Sequence, residues 1–244
     1  MIISFISILL FLIFWQISTN IFSISKWILP APSDIFLSFT RSFDLFWLHT
    51  GRTLEETLLG LFIAVIFGFL IGLLIDVSGI GRKIVYPFIL LSQTVPFITL
   101  APLLVIWFGF GVTAKIIIIA LVCFFPISIS VHEGLYSTDK NMIKLLKSMG
   151  AGKISIYKLV KIPSSLPQFF AGLKMAASYA MITAVVSEWI GSDKGLGILL
   201  IRSSKSYLTD RTFAVIIVIS ALTLLLVKII DIISKFALPW YYKN

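Results

Sequence analysis

Long apolar runs alternate with short polar ones along this chain, and the apolar runs have membrane length. A helix crossing ~30 Å of hydrocarbon needs about 20 predominantly apolar residues. Residues 1–25 carry no charge, and 2–17 are strongly apolar. That run lacks a basic start and a small-residue cleavage site, so it is expected to be a membrane span and not a signal peptide. Pro30 and Pro32 break it, and Ser33 or Asp34 is placed to cap a short amphipathic helix reaching about Leu48. A second span is expected from about Thr57 to Ile75, between Glu56 and Asp76. The window 84–114 has 31 residues without charge, too many for one span and too few for two. Its Pro87, Pro96 and Pro102 predict one kinked or broken span over 84–108, then a turn at Gly109-Phe110-Gly111. Further spans are expected at 115–131, near 166–190 despite Lys174 and Glu188, and at 212–233. The expected fold class is therefore all-α: a polytopic membrane protein with six transmembrane helices. It forms a single domain over 1–244 with its core at about 50–235.

Composition supports the pattern. The 244 residues are 59% hydrophobic and 13% charged, with mean hydropathy +1.05. A soluble domain is about a quarter charged, so this chain has too few charges to cover a water-facing surface. The net charge of +9 is not read as a nucleic-acid footprint, because basic residues of membrane proteins gather in cytoplasmic loops. Six of the twenty Lys and Arg residues (Lys140, Lys144, Lys147, Lys153, Lys158 and Lys161) fall in the stretch 133–165. That stretch is placed in the cytoplasm, and six spans put both termini there too, in a multi-pass protein of the cell membrane.

Two spans carry small residues every fourth position: Gly60, Ala64, Gly68 and Gly72, then Gly172, Ala176, Ala180 and Ala184. Such stripes let helices approach closely in lipid, or they border a pathway. Glu188 follows at the outer end of the fifth span. A carboxylate there either pairs with a basic neighbour such as Arg202 or Lys205 or serves as a gate or substrate contact. Ser92, Gln93 and Thr94 beside Pro96 fit either helix–helix hydrogen bonding or a broken mid-membrane stretch of the kind transporters use.

The loop at 137–163 is the most informative segment. Ser137, Thr138 and Asp139 can cap a helix whose Met142, Leu145, Leu146 and Met149 share one face, with Lys144 and Lys147 on the other. Gly150 stands where a left-handed stop is wanted. A second short helix is expected to run to about Lys161, before Pro163. A basic elbow of two helices is a docking surface for a soluble partner, or it lies on anionic headgroups. Catalytic readings find little support. Gly152-Lys153 is no phosphate loop, because that motif would need Gly at Lys147 and Ser or Thr at Ile154. His49, His132 and Cys123 form no metal-ligand pattern. A stand-alone ion-coupled carrier would want paired intramembrane acids or an inverted repeat, and a membrane-embedded enzyme a cluster of nucleophile and base.

At this elbow the chain resembles the permeases of binding-protein-dependent ABC importers, whose cytoplasmic signature runs E-A-A-x-x-x-G, nine residues, then I-x-L-P. Lys144-Leu145-Leu146 stands at its start, Gly150-Ala151 at its glycine and Val160-Lys161-Ile162-Pro163 at its end, with lysine replacing the glutamate. Leu29-Pro30-Ala31-Pro32-Ser33-Asp34, the run Pro102–Gly109 (ending Trp107-Phe108-Gly109) and Ser187-Glu188-Trp189-Ile190-Gly191 followed by Gly195-Leu196-Gly197 resemble the nitrate/sulfonate/taurine branch. Among its members, permeases for thiamine pyrimidine precursors look most similar. The resemblance implies the type I ABC importer permease fold, with Lys144, Leu145, Leu146, Lys147, Gly150, Ala151 and Pro163 in the ATPase-coupling loop. It also makes Gln93, Thr94, Tyr179, Glu188 and Trp189 candidates for the translocation path. It implies an ABC ATPase subunit that binds the ATP, an extracytoplasmic substrate-binding protein and a second copy of this chain as partners. No cofactor, metal or catalytic residue is expected in the chain itself. The implied cargo is a small organic nutrient such as a hydroxymethylpyrimidine thiamine precursor, with sulfonate, nitrate, taurine or riboflavin as alternatives.

Overall fold

The computed structural model describes residues 2–78, 81–92 and 94–242, and the side chains of these except 2–5, 97 and 98. No strand occurs among them. The helices are α1 (Ile2–Ile21), α2 (Pro32–Arg41), α3 (Phe43–Val77), α4 (Tyr86–Ser92), α5 (Phe97–Phe108), α6 (Val112–Tyr136), α7 (Lys140–Ser148), α8 (Lys153–Ile156), α9 (Ile162–Ser187), α10 (Leu196–Lys205), α11 (Thr209–Ala237) and α12 (Pro239–Tyr242). Two π-helical segments, Gly81–Val85 and Tyr157–Lys161, lead into α4 and α9.

Among the described residues four helices are long and apolar enough to cross a membrane: Phe43–Val77, Val112–Tyr136, Lys153–Ser187 taken through its π segment, and Thr209–Ala237. Where the other two spans are expected, α1 and the pair α4 and α5 supply apolar helix of shorter length, Ile6–Ile21 and Thr99–Phe108, so four of the six expected spans have full membrane length. The break between α4 and α5 ends at Pro96, which caps α5. Gly109 closes α5 at φ +80°, a left-handed value that glycine adopts without steric cost.

α6 is the axis of the bundle. It lies between α3 and α9, and these two pairings are the most extensive in the molecule. Ile119, Cys123, Ile127 and Val131 of α6 are fully buried with Ala64 of α3 and Ala176, Ala180 and Ala184 of α9. Both small-residue stripes serve this packing. A Cβ on Gly60 would lie 2.6 Å from Ile119 Cβ, one on Gly68 2.8 Å from Ile127 Cγ2, and one on Gly72 2.7 Å from Val131 Cβ. On the other side Gly172 abuts Ser130, and Cys123 Sγ lies 3.2 Å from the Ala176 carbonyl. Dispersion between closely packed surfaces is what holds helices together where lipid is as apolar as leucine. α11 packs on α9, while α2, α10 and α11 share a second apolar cluster with Phe46 at one end of α3.

Three expectations are corrected. α2 begins at Pro32 with Ala31 at its N-cap and no side-chain cap, so neither Ser33 nor Asp34 caps it, and it ends at Arg41 instead of Leu48. α3 begins at Phe43, well before Thr57. Its polar first half is stabilised by burying Thr53, Glu56 and Thr57 against neighbours, which apolar runs alone do not announce. Finally, Pro163 does not end a helix. It lies in the first turn of α9, directly after the π segment, and the helical run continues through it from α8.

The glycine stripe predicts a contrast within one helix. Gly60→Leu should destabilise the detergent-solubilised protein by about 1–3 kcal/mol through overpacking against Ile119. Gly51→Ala, with nothing within 4 Å of the added methyl, should leave stability unchanged or raise it by about 0.5–1 kcal/mol. Thermal unfolding of the two variants measures both.

Candidate functional site

The bundle carries its polar groups at two opposite ends. At one end are α7 and α8, the C-terminal ends of α3 and α6, and the start of α9. At the other are the first half of α3, the start of α6, the end of α9, and α10.

α7 is built as the periodicity requires. Asp139 caps it, accepting the Asn141 N–H at 2.8 Å. Gly150 stops it at φ +83°, with Gly150 N–H bonded to the Lys147 carbonyl at 3.0 Å and Ala151 N–H to the Leu146 carbonyl at 2.9 Å. That pair of bonds is the Schellman C-cap. No residue of α7 is buried. Met142, Leu145 and Met149 are 53%, 61% and 73% exposed, so an apolar face flanked by Lys144 and Lys147 stands without a partner in this chain. Ala151 follows in the turn, and Pro163 lines a cavity with Met142 and Trp240.

Glu188 sits at the opposite end and is fully buried. Its partners are neither Arg202 nor Lys205. Thr53 Oγ1 donates to Oε1 at 2.6 Å and Gly197 N–H donates to Oε2 at 2.5 Å. Leu196 N–H donates to Thr53 Oγ1 at 2.8 Å, and Gly195 N–H to His49 Nδ1 at 2.9 Å. The carboxylate, carried by the C-cap residue of α9, thus closes the N-terminus of α10 and joins it to α3. Exposed N–H groups and the helix dipole favour an anion there. The same geometry explains the glycines that follow. Gly191 and Gly195 have φ of +70° and +129°, and a Cβ on Gly195 or Gly197 would collide with Glu188 or the Val185 carbonyl. Nearby, buried Glu56 receives Lys115 and Arg52, each at 3.1 Å. Lys174, the charge that interrupts the fifth span, is bonded to Asp231 of α11 at 2.6 Å.

The remaining path candidates are scattered. Thr94, exposed at the α4–α5 break, donates to the Leu91 carbonyl at 2.7 Å. Trp189 is 45% exposed beside Glu188. Gln93 lies outside the described residues. Tyr179 lines a cavity of about 530 Å³ together with Leu90, Pro126, Ser130, Glu133 and Met175, on the faces of α6 and α9 turned toward α4. The pattern of runs gave no sign of His49 and Thr53 as partners of Glu188. Nor did it reveal the cluster around Asp76 described below, since a charge that ends an apolar run resembles any span boundary.

Apolar spans around a close-packed axis, with an exposed basic elbow at one end, define a multi-pass membrane permease that draws its energy from another subunit. The chain belongs to the family of binding-protein-dependent transport system inner membrane components, whose pattern matches residues 60–240. It is a permease subunit of an ABC importer; ATP hydrolysis belongs to a separate ATPase subunit with which such permeases partner. It is 34% identical to the formylaminopyrimidine transport permease protein ThiX of Halalkalibacterium halodurans, over 97% of this chain and 94% of that protein. It is 34% identical to a probable ABC transporter permease of Haemophilus influenzae, over 90% of each. Identity to the taurine transport system permease TauC of Escherichia coli is 30%, over 94% of this chain and 86% of that one. In fold it is similar to a chain of an amino acid ABC transporter crystal structure (TM-score 0.65, 21% identity, covering 84% of this chain and 97% of that one). It is equally similar to a chain of the inward-facing MetNI methionine ABC transporter (TM-score 0.65, 20% identity, covering 79% and 97%).

Glu188→Gln would turn an amide N–H₂ toward one of its two donors. Leaving a buried donor unsatisfied costs about 1–3 kcal/mol, so the solubilised variant should melt about 5 °C lower. Lys205→Ala should leave the melting temperature unchanged. Differential scanning fluorimetry in detergent distinguishes the Thr53–Gly197 arrangement from an ion pair with Lys205.

Proposed function

We propose that two copies of this chain form the membrane pore of an importer, fed by an extracytoplasmic binding protein and driven through α7 by the ATPase subunit, which alone binds ATP. The observation that carries the reading is the unpartnered apolar face of α7, delimited by its Asp139 cap and Gly150 stop. A nine-residue helix that buries nothing in its own chain is stable only when another surface covers it. Lys144, Leu145, Leu146, Lys147, Gly150 and Ala151 form that contact, and Pro163 lies beside it. The elbow and both termini are cytoplasmic in this reading, which follows from the lysine bias, and the whole chain works as one permease unit.

Transport proceeds by alternating access. The ATPase pair binds unequally to the two permease conformations, and that difference in affinity shifts the equilibrium between them. The cavity beside Tyr179, lined by Leu90 of α4 and by faces of α6 and α9, is the segment of the path that this chain lines. Gln93, Thr94 and Trp189 belong to the same path in this reading, and Glu188 supports it from behind by fixing α9 to α10 and α3. The cargo is a pyrimidine precursor of thiamine, supported by the 34% identity to ThiX across nearly both chains. Taurine is the second reading, supported by the 30% identity to TauC.

Gly150→Pro, which cannot adopt a positive φ, and Lys144→Glu/Lys147→Glu should each abolish capture of the ATPase subunit from detergent solution and uptake into proteoliposomes. Retained capture and uptake would sink the role of α7. For the cargo, excess formylaminopyrimidine should compete with uptake through the reconstituted importer where taurine does not; the reverse result moves the assignment to sulfonates.

A further inference from the structure

A second polar cluster, which the fold does not need for closing a helix end, joins the elbow to the bundle. Asp76 lies in the last turn of α3 with its side chain fully enclosed. Arg82 Nη2 reaches Oδ1 at 3.1 Å, Tyr157 Oη donates to Oδ2 at 2.6 Å, and Lys161 Nζ reaches the same oxygen. Arg82 comes from the first π segment; Tyr157 and Lys161 are the ends of the second. The Arg82 guanidinium also stands 4.5 Å over the Tyr136 ring, in the last residue of α6. His132 of α6 stacks near Tyr86 and Tyr136, at ring distances of 4.9 and 6.1 Å. One carboxylate therefore gathers the ends of α3 and α6 and both π segments.

α7 itself has few ties to the bundle, whereas α8 and the π segment are seated on it through Ile156, which is buried, and Tyr157, which packs against the core. α7 buries no residue, and between its Ile143 and Lys147 and the Leu73 and Val77 of α3 lies a cavity of about 620 Å³. α7 thus stands off α3 and is held by its connection to α8 and by what the second π segment grips. π segments add about one residue per turn to a helix and recur at functional positions, and a turn of altered hydrogen bonding is where a helix can change register. A carboxylate with three donors, two of them cationic, resists rearrangement of the segment that carries two of them, and its own side chain is fully enclosed although Arg82 reaches it from the surface.

We propose that Asp76 is a positioning residue for transport: it fastens the second π segment, and with it the coupling elbow, to the ends of α3 and α6, so that a push on α7 turns the spans. The proposal rests on α7 being the ATPase contact. Without this anchor the elbow moves with the ATPase while the π segment absorbs the displacement, and hydrolysis continues without matching uptake.

The test is the reconstituted importer, with its ATPase subunit and binding protein, carrying Asp76→Asn. The expected result is normal capture of the ATPase subunit, ATPase activity within about twofold of wild type, and a rise of about 10-fold in ATP hydrolysed per substrate imported. Lys161→Gln should raise the same ratio. The double variant should be no worse than Asp76→Asn, because residues in one network are not additive. A ratio unchanged in Asp76→Asn overturns the proposal. Where Asp76→Asn does not assemble, Tyr157→Phe and Lys161→Gln, which keep the carboxylate, carry the test, and an unchanged ratio in both overturns it. Failure of the underlying reading looks different: the α7 variants would then still capture the ATPase subunit, whatever Asp76→Asn does.

Discussion

Lipid offers no hydrogen bonds, so every polar group that the bundle carries into the membrane must be satisfied by the chain itself. That constraint organises this molecule. Glu56 with Lys115 and Arg52, Glu188 with Thr53 and Gly197, Asp76 with Arg82, Tyr157 and Lys161, and Lys174 with Asp231 each bridge different helices. In three of them the carboxylate is fully enclosed: Glu56, Glu188 and Asp76. Each therefore fixes a relation between elements, and dispersion along the close-packed faces of α3, α6 and α9 fills the space between. Paired charges at span ends do here what a soluble protein leaves to its hydrophobic core.

The distribution of these ties divides the bundle. At the Glu188 end the links are hydrogen bonds to backbone at a helix N-terminus and to glycines that admit no side chain. Little can move there without leaving a carboxylate unpaired in a dry site, which is strongly unfavourable. At the Asp76 end all three donors sit on π segments, and the link to α6 is the Tyr136 ring, in contact with the Arg82 guanidinium and the His132 imidazole. Such contacts tolerate sliding better than a buried cap. The two ends thus differ in stiffness for reasons that can be traced to their donors.

How far the sequence foretold this depends on whether the signal was local. Gly150 could be read because a helix of period 3.6 ended there and only glycine suits a positive φ, and both stripes could be read because their spacing is the contact. The run Ser187–Gly197 was recognisable as a motif, but not what its carboxylate does. Thr53 and Gly197, its partners, lie 135 and 9 residues away, and no periodicity links them. The start of α3 was misplaced for a related reason. Arg52, Glu55 and Glu56 look like a loop until Lys115 of another helix pairs with Glu56. Pro163 looks like a stop until it is seen at a first helical turn.

A partner can shift a permease between conformations only by its differential affinity for them, and that difference reaches the pathway only through elements that move as one body. A helix nine residues long, exposed on its apolar face and separated from α3 by a cavity, is by itself a loose handle. What makes it a lever is the continuity of α8, the π segment and α9 as a single helical run from Lys153 to Ser187, ending at Glu188. The elbow at one end of that run and the α9–α10–α3 junction at the other are thus two ends of one rod, packed along its length on α6. In the transport reading, force applied at the cytoplasmic end is felt at the outer junction because an enclosed carboxylate at each end, Asp76 and Glu188, ties the run to its neighbouring helices.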